Sequence, residues 1–118
     1  MGVKVEMTED LMVAKLQGDI DHHSAGEIRR YIDERAQIMK PAVLKLDFAA
    51  VPFMDSSGIG LILGRIRLVK LWSGRVVLCN ISENISRMAK MAGVFKFASV
   101  EPNEKEINRK LEKGGRKL

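Results

Sequence analysis

The sequence predicts an α/β fold, a mixed central β-sheet flanked by α-helices in the order ββαβαβαβα. Three observations carry that expectation. Two alternating apolar stretches at the N-terminus are separated only by a charged turn. Further strand-like runs then alternate with amphipathic segments of helical period. Proline, glycine or Ser-Gly punctuation falls at several of the junctions. Strands that alternate with helices imply parallel crossovers, and the opening pair implies one antiparallel neighbour, hence a mixed sheet. A chain of 118 residues with 46% hydrophobic content is sized for one domain, residues 1–118, around a single core.

Val3, Val5 and Met7 alternate, as do Met12, Ala14 and Leu16 after the turn "TED", which reads as a hairpin closed by Gly18. In "SAGEIRRYIDERAQIMK" the Ser24 and Glu27 spacing suggests a capping box, and Ala25, Ile28, Ile32, Ala36 and Met39 recur at helical period. Pro41 stops that helix. "AVLKLDF" places Leu44, Leu46 and Phe48 on one side of a strand. A helix from about Ser56 to Leu71 follows and ends at Ser73 and Gly74. "RVVLCNI" is a nearly continuous apolar run, as in a strand buried on both faces. Ser82 is placed to cap "ENISRMAKMA", with Gly93 as a left-handed stop. "FKFASV" alternates like a short strand, and Asn103 with Glu106 offers a further capping box before a last basic helix. Residues 112–118 read as a frayed basic tail.

The net charge is +5, and residues 105–118 supply +4 of it. The body is therefore close to neutral, and the aromatic content of 5% is low for a base-stacking surface, so no nucleic acid is expected as a partner. Cys79 is the only cysteine, which excludes an internal disulfide. The N-terminus lacks the layout of a signal peptide, and no apolar run approaches the ~20 residues of a membrane span. A cytoplasmic monomer with no membrane partner is the expectation.

The chemistry concentrates in "VPFMDSSGIG", residues 51–60. Asp55 falls where a helix begins and is a preferred N-cap, whose carboxylate accepts from the backbone two or three residues on. Ser56 and Ser57 then occupy the first turn, beside exposed N–H groups at the positive end of the helix dipole. Glycines at 58, 60 and 64 cost a helix ~1 kcal/mol each relative to alanine. They point to close approach by the sheet or by another molecule. The plain reading is a polar helix start.

Sharper readings compete with it. A serine hydrolase lacks its G-x-S-x-G elbow, since Met54 stands two before Ser56, although His22 or His23 could serve as a base. The same two adjacent histidines point in different directions and make a poor metal site, so no metal and no cofactor are expected. "GIGLILG" approaches a dinucleotide fingerprint, but Leu63 takes the place of the third glycine. A small nucleotide-binding domain using the DSSGIG helix N-terminus remains the alternative function. Finally, Ser56 could itself be phosphorylated. The added charge beside Asp55 would repel a docking partner, and the basic residues Arg65, Arg67, Lys70 and Arg75 make the following stretch an otherwise positive face.

"GDIDHHSA" together with "VLKLDFAAVPFMDSSGIGLILGR" resembles the STAS-domain family of anti-sigma factor antagonists, those of sporulation above all. The similarity runs on through "VVLCNIS" and "MAGVFK", and its most specific part is "FMDSSG" with "DHH". The resemblance implies the STAS fold, no enzymatic activity, and partner switching. Unphosphorylated, such a protein binds an anti-sigma factor that is also a serine kinase and so releases the sigma factor. The kinase phosphorylates the first serine of D-S-S-G, here Ser56, and a serine phosphatase reverses it. Asp21, Asp55, Ser57 and Gly58 would form the partner-binding corner, with Asp21 beside the serine, Asp55 orienting it, and Gly58 keeping the helix start open.

Overall fold

In the computed structural model of the chain, residues 2–102 are described. The helix expected after Asn103 and the tail at 112–118 lie outside them. The hairpin forms as its alternation predicts. β1 (Val3–Thr8) pairs antiparallel with β2 (Leu11–Gln17), and Val3, Val5 and Met7 share a face with Leu16, Ala14 and Met12. β3 (Val43–Ala50), β4 (Arg75–Cys79) and β5 (Ser99–Glu101) then add in parallel, so the strand order in the sheet is β1-β2-β3-β4-β5. Met12, Ala14 and Leu16 on β2, Leu44, Leu46 and Phe48 on β3, and Val76 and Leu78 on β4 are all buried. The register of the pairs puts them on one face.

Three helices pack into the same core: α1 (His22–Met39), α2 (Ser56–Lys70) and α3 (Glu83–Met91). α1 contributes Ile28, Ile32 and Ala36, and α2 contributes Leu61, Ile62, Ile66 and Val69. β4 is buried on both faces, as its unbroken apolar run suggested, because Val77 and Cys79 on the opposite side are also covered. Burial pushes the Cys79 thiol up to about 11, which makes it a packing residue rather than a nucleophile.

Two boundaries differ from the sequence reading. Helix α1 begins earlier than Ser24: Asp21 is its N-cap, accepting from the N–H groups of His23 at 2.9 Å and Ser24 at 3.0 Å. Ser24 returns the favour by accepting the Asp21 N–H at 3.0 Å, so the capping box is Asp21 with Ser24, not Ser24 with Glu27. "FKFASV" is not a strand throughout. Gly93, left-handed at φ 76°, turns the chain into a short 3-10 helix at Val94–Lys96, and β5 starts only at Ser99.

The other helix punctuation reads as expected. Lys40, left-handed at φ 46°, closes α1 before Pro41, and the Ser82 hydroxyl accepts the Ile85 N–H at 3.1 Å. Trp72 is half-buried beneath the end of α2, with its indole N–H donating to the Pro41 carbonyl at 2.9 Å. It is a packed cap on the helix end.

One charged pair sits inside this framework. Arg65 on α2 is 5% exposed, and its Nε stands 2.9 Å from Oδ1 of Asp33 on α1, without hydrogen-bond alignment. Arg65 therefore does not belong to the positive surface assigned to it from the sequence. Removing one partner of a buried pair strands the other charge. Asp33→Leu alone should destabilise the protein by about 2 kcal/mol more than Asp33→Leu combined with Arg65→Met, in urea unfolding. Equal losses would mean that the pair contributes no coupling.

Candidate functional site

The two loops that leave β2 and β3 are stitched to each other. Gly18, at φ 80°, turns the chain out of β2, and its N–H donates to the Ala50 carbonyl at 2.9 Å. Ile20 N–H then donates to Phe53 O at 3.0 Å, and Asp55 N–H donates to Ile20 O at 3.1 Å, forming a one-residue parallel bridge between Ile20 and Met54. Both bridge residues are buried. Asp21 and Asp55 therefore follow directly from paired backbone, and each caps a helix, α1 and α2 respectively.

At Asp55 the carboxylate accepts the Ser57 N–H at 2.8 Å, and its carbonyl accepts the Gly58 N–H at 3.0 Å. Two first-turn amides are thus already satisfied within the chain, leaving less of the helix N-terminus for an external phosphate. Ser56, the first residue of α2, is exposed. Ser57 is half-buried and faces the groove towards α1. The Ser24 N–H, opposed by desolvation and joined by the His23 N–H, holds the Asp21 carboxyl below its ordinary value of 3.8. A cap of this kind contributes fully above about pH 3.8 and loses its contribution as the pH falls through the depressed value.

The structure brings Asp21, Asp55, Ser56 and Ser57 to one corner. Gly58 behaves differently from the expectation that it keeps the helix start open. It is buried, and a Cβ built there would fall 2.2 Å from Met54 Cγ and 2.3 Å from its sulfur. Its glycine identity serves the internal close approach of Met54, which is itself fixed by the bridge to Ile20. Gly60 and Gly64 have no such reason, because a Cβ at either meets nothing within 4 Å.

Phe53 is a surface feature that the sequence reading passed over. It is 51% exposed, two residues before Asp55, in a chain where large exposed apolar groups at this corner are otherwise absent among the described residues. Its signal was present in "PFMDSSG": Met54 turns inward, so under alternation Phe53 must turn out. His22 and His23 lie in the first turn of α1 and are exposed, edge to face with ring centroids 5.4 Å apart. Among the described residues no cluster of three His, Cys, Asp or Glu could hold a metal ion.

This fold has counterparts among known proteins. Residues 3–107 match the STAS domain family model, and the chain belongs to the STAS-domain family. Within it, the sequence groups with the anti-sigma F factor antagonists. The Paenibacillus polymyxa anti-sigma F factor antagonist is 32% identical over 95% of this chain and 97% of its own length, and that of Lysinibacillus sphaericus is 33% identical over 92% and 94%. The solved structure of the anti-sigma factor antagonist SpoIIAA in its unphosphorylated form superposes with a TM-score of 0.71, at 29% identity, covering 95% of this chain and 98% of that one. SpoIIAA of Bacillus has also been solved in its phosphorylated form, with a TM-score of 0.68 at 32% identity over 91% and 97%.

The division among the glycines is open to a direct test. Gly58→Ala gains ~1 kcal/mol of helix propensity but overpacks Met54 at a cost of about 1–3 kcal/mol, so it should lower the urea midpoint. Gly60→Ala should raise it, with a gain of about 0.5–1 kcal/mol. The reverse order would show that Met54 is not pinned under α2.

Proposed function

We propose that this protein is an anti-sigma factor antagonist switched by phosphorylation of Ser56. The observation that carries the reading is an exposed serine at the first position of α2, next to the capping Asp55, whose backbone is paired across the Ile20–Met54 bridge to the loop that ends in the second capping aspartate, Asp21. The kinship with anti-sigma F factor antagonists supplies the partner class. Unphosphorylated, the corner docks onto an anti-sigma factor that is also a serine kinase, which then lets go of its sigma factor. Phe53 is positioned to enter a pocket on that partner, as half-exposed aromatic rings often do at interfaces. Asp55 orients the first turn, and Ser56 presents its hydroxyl to the γ-phosphate of the kinase's ATP.

Transfer of that phosphoryl group places about −1.5 to −2 charges beside the Asp55 and Asp21 carboxylates. A partner that closes over the corner must then desolvate a concentrated anion against like charges. A useful switch of about ten- to a thousandfold needs roughly 1.4–4 kcal/mol, within reach of one like-charge repulsion plus one lost buried polar contact. A serine phosphatase restores the binding form. The chain contributes a hydroxyl and a surface and performs no catalysis of its own.

Intact-mass spectrometry after incubation with the cognate anti-sigma kinase and ATP should show one added phosphate on the wild type and none on Ser56→Ala. Ser56→Ala should keep its affinity for the kinase, while Ser56→Asp should bind about tenfold or more weakly. An unmodified wild type in the presence of a kinase active on another substrate would remove the proposal.

A further inference from the structure

We infer that the groove between α1 and α2, beside Ser57, receives an acidic side chain of the anti-sigma factor, with Arg29 as its counter-ion. The inference rests on the docking reading above and adds to it a location and a chemical preference. The groove has a volume of about 330 Å3 and is lined by Ala25, Gly26, Arg29, Ser57, Gly60 and Leu61.

Its floor is made of glycines that the fold does not require. A Cβ at Gly26 or at Gly60 meets nothing within 4 Å, and both residues lie inside helices, where glycine weakens the helix. Gly58, two residues away, has an internal reason for lacking a side chain and these two do not. What an absent side chain leaves at 26 and 60 is room for another molecule to lie close to both helix backbones.

The charge balance of the groove gives the occupant its sign. Arg29 and Arg65 both act on the single Asp33 carboxylate, which burial pushes up and the two guanidiniums pull down. Arg65 reaches from α2 to Asp33 on α1, one turn beyond Leu61 and Arg29, and its Nη1 has no hydrogen-bond partner among the described residues. Asp33 and Arg65 lie one turn beyond the groove, and Arg29 is the one charged residue among those that line it, so the groove itself carries positive charge. Arg29 is exposed and free to turn its planar fork to a carboxylate, which it can grip through two parallel hydrogen bonds. The groove also continues from the serine corner without a break, since Ser57 forms its wall.

The test is calorimetric titration of the unphosphorylated full chain against the anti-sigma factor of the same organism, comparing wild type, Arg29→Lys, Arg29→Ser, Arg29→Glu and Gly60→Leu. Arg29→Lys, which keeps the charge but loses the paired hydrogen bonds, should weaken binding several-fold, while Arg29→Glu and Gly60→Leu should each weaken it by about tenfold or more. Wild-type affinity should also fall with added salt more steeply than that of Arg29→Ser. Thermal melts of each variant separate a folding defect from a docking defect. Wild-type affinity in Arg29→Glu or in Gly60→Leu would overturn the inference while leaving the antagonist reading intact. Failure of the wild type itself to bind would overturn both.

Discussion

The geometry of the serine corner depends on one short piece of parallel pairing, the bridge between Ile20 and Met54. It consists of two backbone hydrogen bonds, Ile20 N–H to Phe53 O and Asp55 N–H to Ile20 O, over side chains that are 0% and 2% exposed. Buried backbone groups must find partners, and here two loops satisfy each other where the regular ladder between β2 and β3 has ended. The register between those strands shifts after Lys15, and Gly18 supplies the positive φ that swings the chain across. Two helix starts that would otherwise be set by independent loops therefore share one origin.

α2 serves two masters along its length. Its inner stripe, Gly58, Leu61, Ile62, Ile66 and Val69, belongs to the core, and Arg65 joins that stripe only by reaching Asp33. Its outer stripe carries Ser56 at the start and Gly60 and Gly64 further on, where the chain accepts poor helix propensity for a bare surface. The same residue type thus answers to opposite demands within three positions. At 58 a methyl group collides with Met54, and at 60 it meets only solvent.

Most of the fold was readable because periodicity and punctuation agreed. The hairpin, the inward Leu44–Leu46–Phe48 row, the doubly buried β4 and the caps at Asp55 and Ser82 each follow from local pattern. The misreadings have physical causes. Two capping boxes compete at the start of α1, Asp21 with Ser24 and Ser24 with Glu27. The first wins because Asp21 is held by the neighbouring bridge, a tertiary fact that spacing does not reveal. "FKFASV" alternates, yet Phe95 and Phe97 remain on the surface, so the alternation reports a turn rather than a buried strand face. The corner's aspartates and serines were legible from motif and cap chemistry. The burial of Gly58 was not, because nothing in the order of residues says that Met54 folds beneath it. Arg65 was the more legible error: it falls on the apolar stripe 58-61-62-65-66-69, which already argues for the interior.

Spatial strand order in this protein is the same as chain order, from β1 to β5. Each new strand therefore has its template already in place, and no later segment must be threaded between earlier ones. Such topologies keep loop closures short and permit growth from one end. Every residue of the serine corner and of the groove beside it lies between Gly18 and Arg65. During synthesis, which proceeds at about 5–20 residues per second, the serine corner and the groove beside it have been made before β4, α3 and β5 exist. The elements made last add support behind that corner rather than parts of it, so its shape is written in the first two-thirds of the gene.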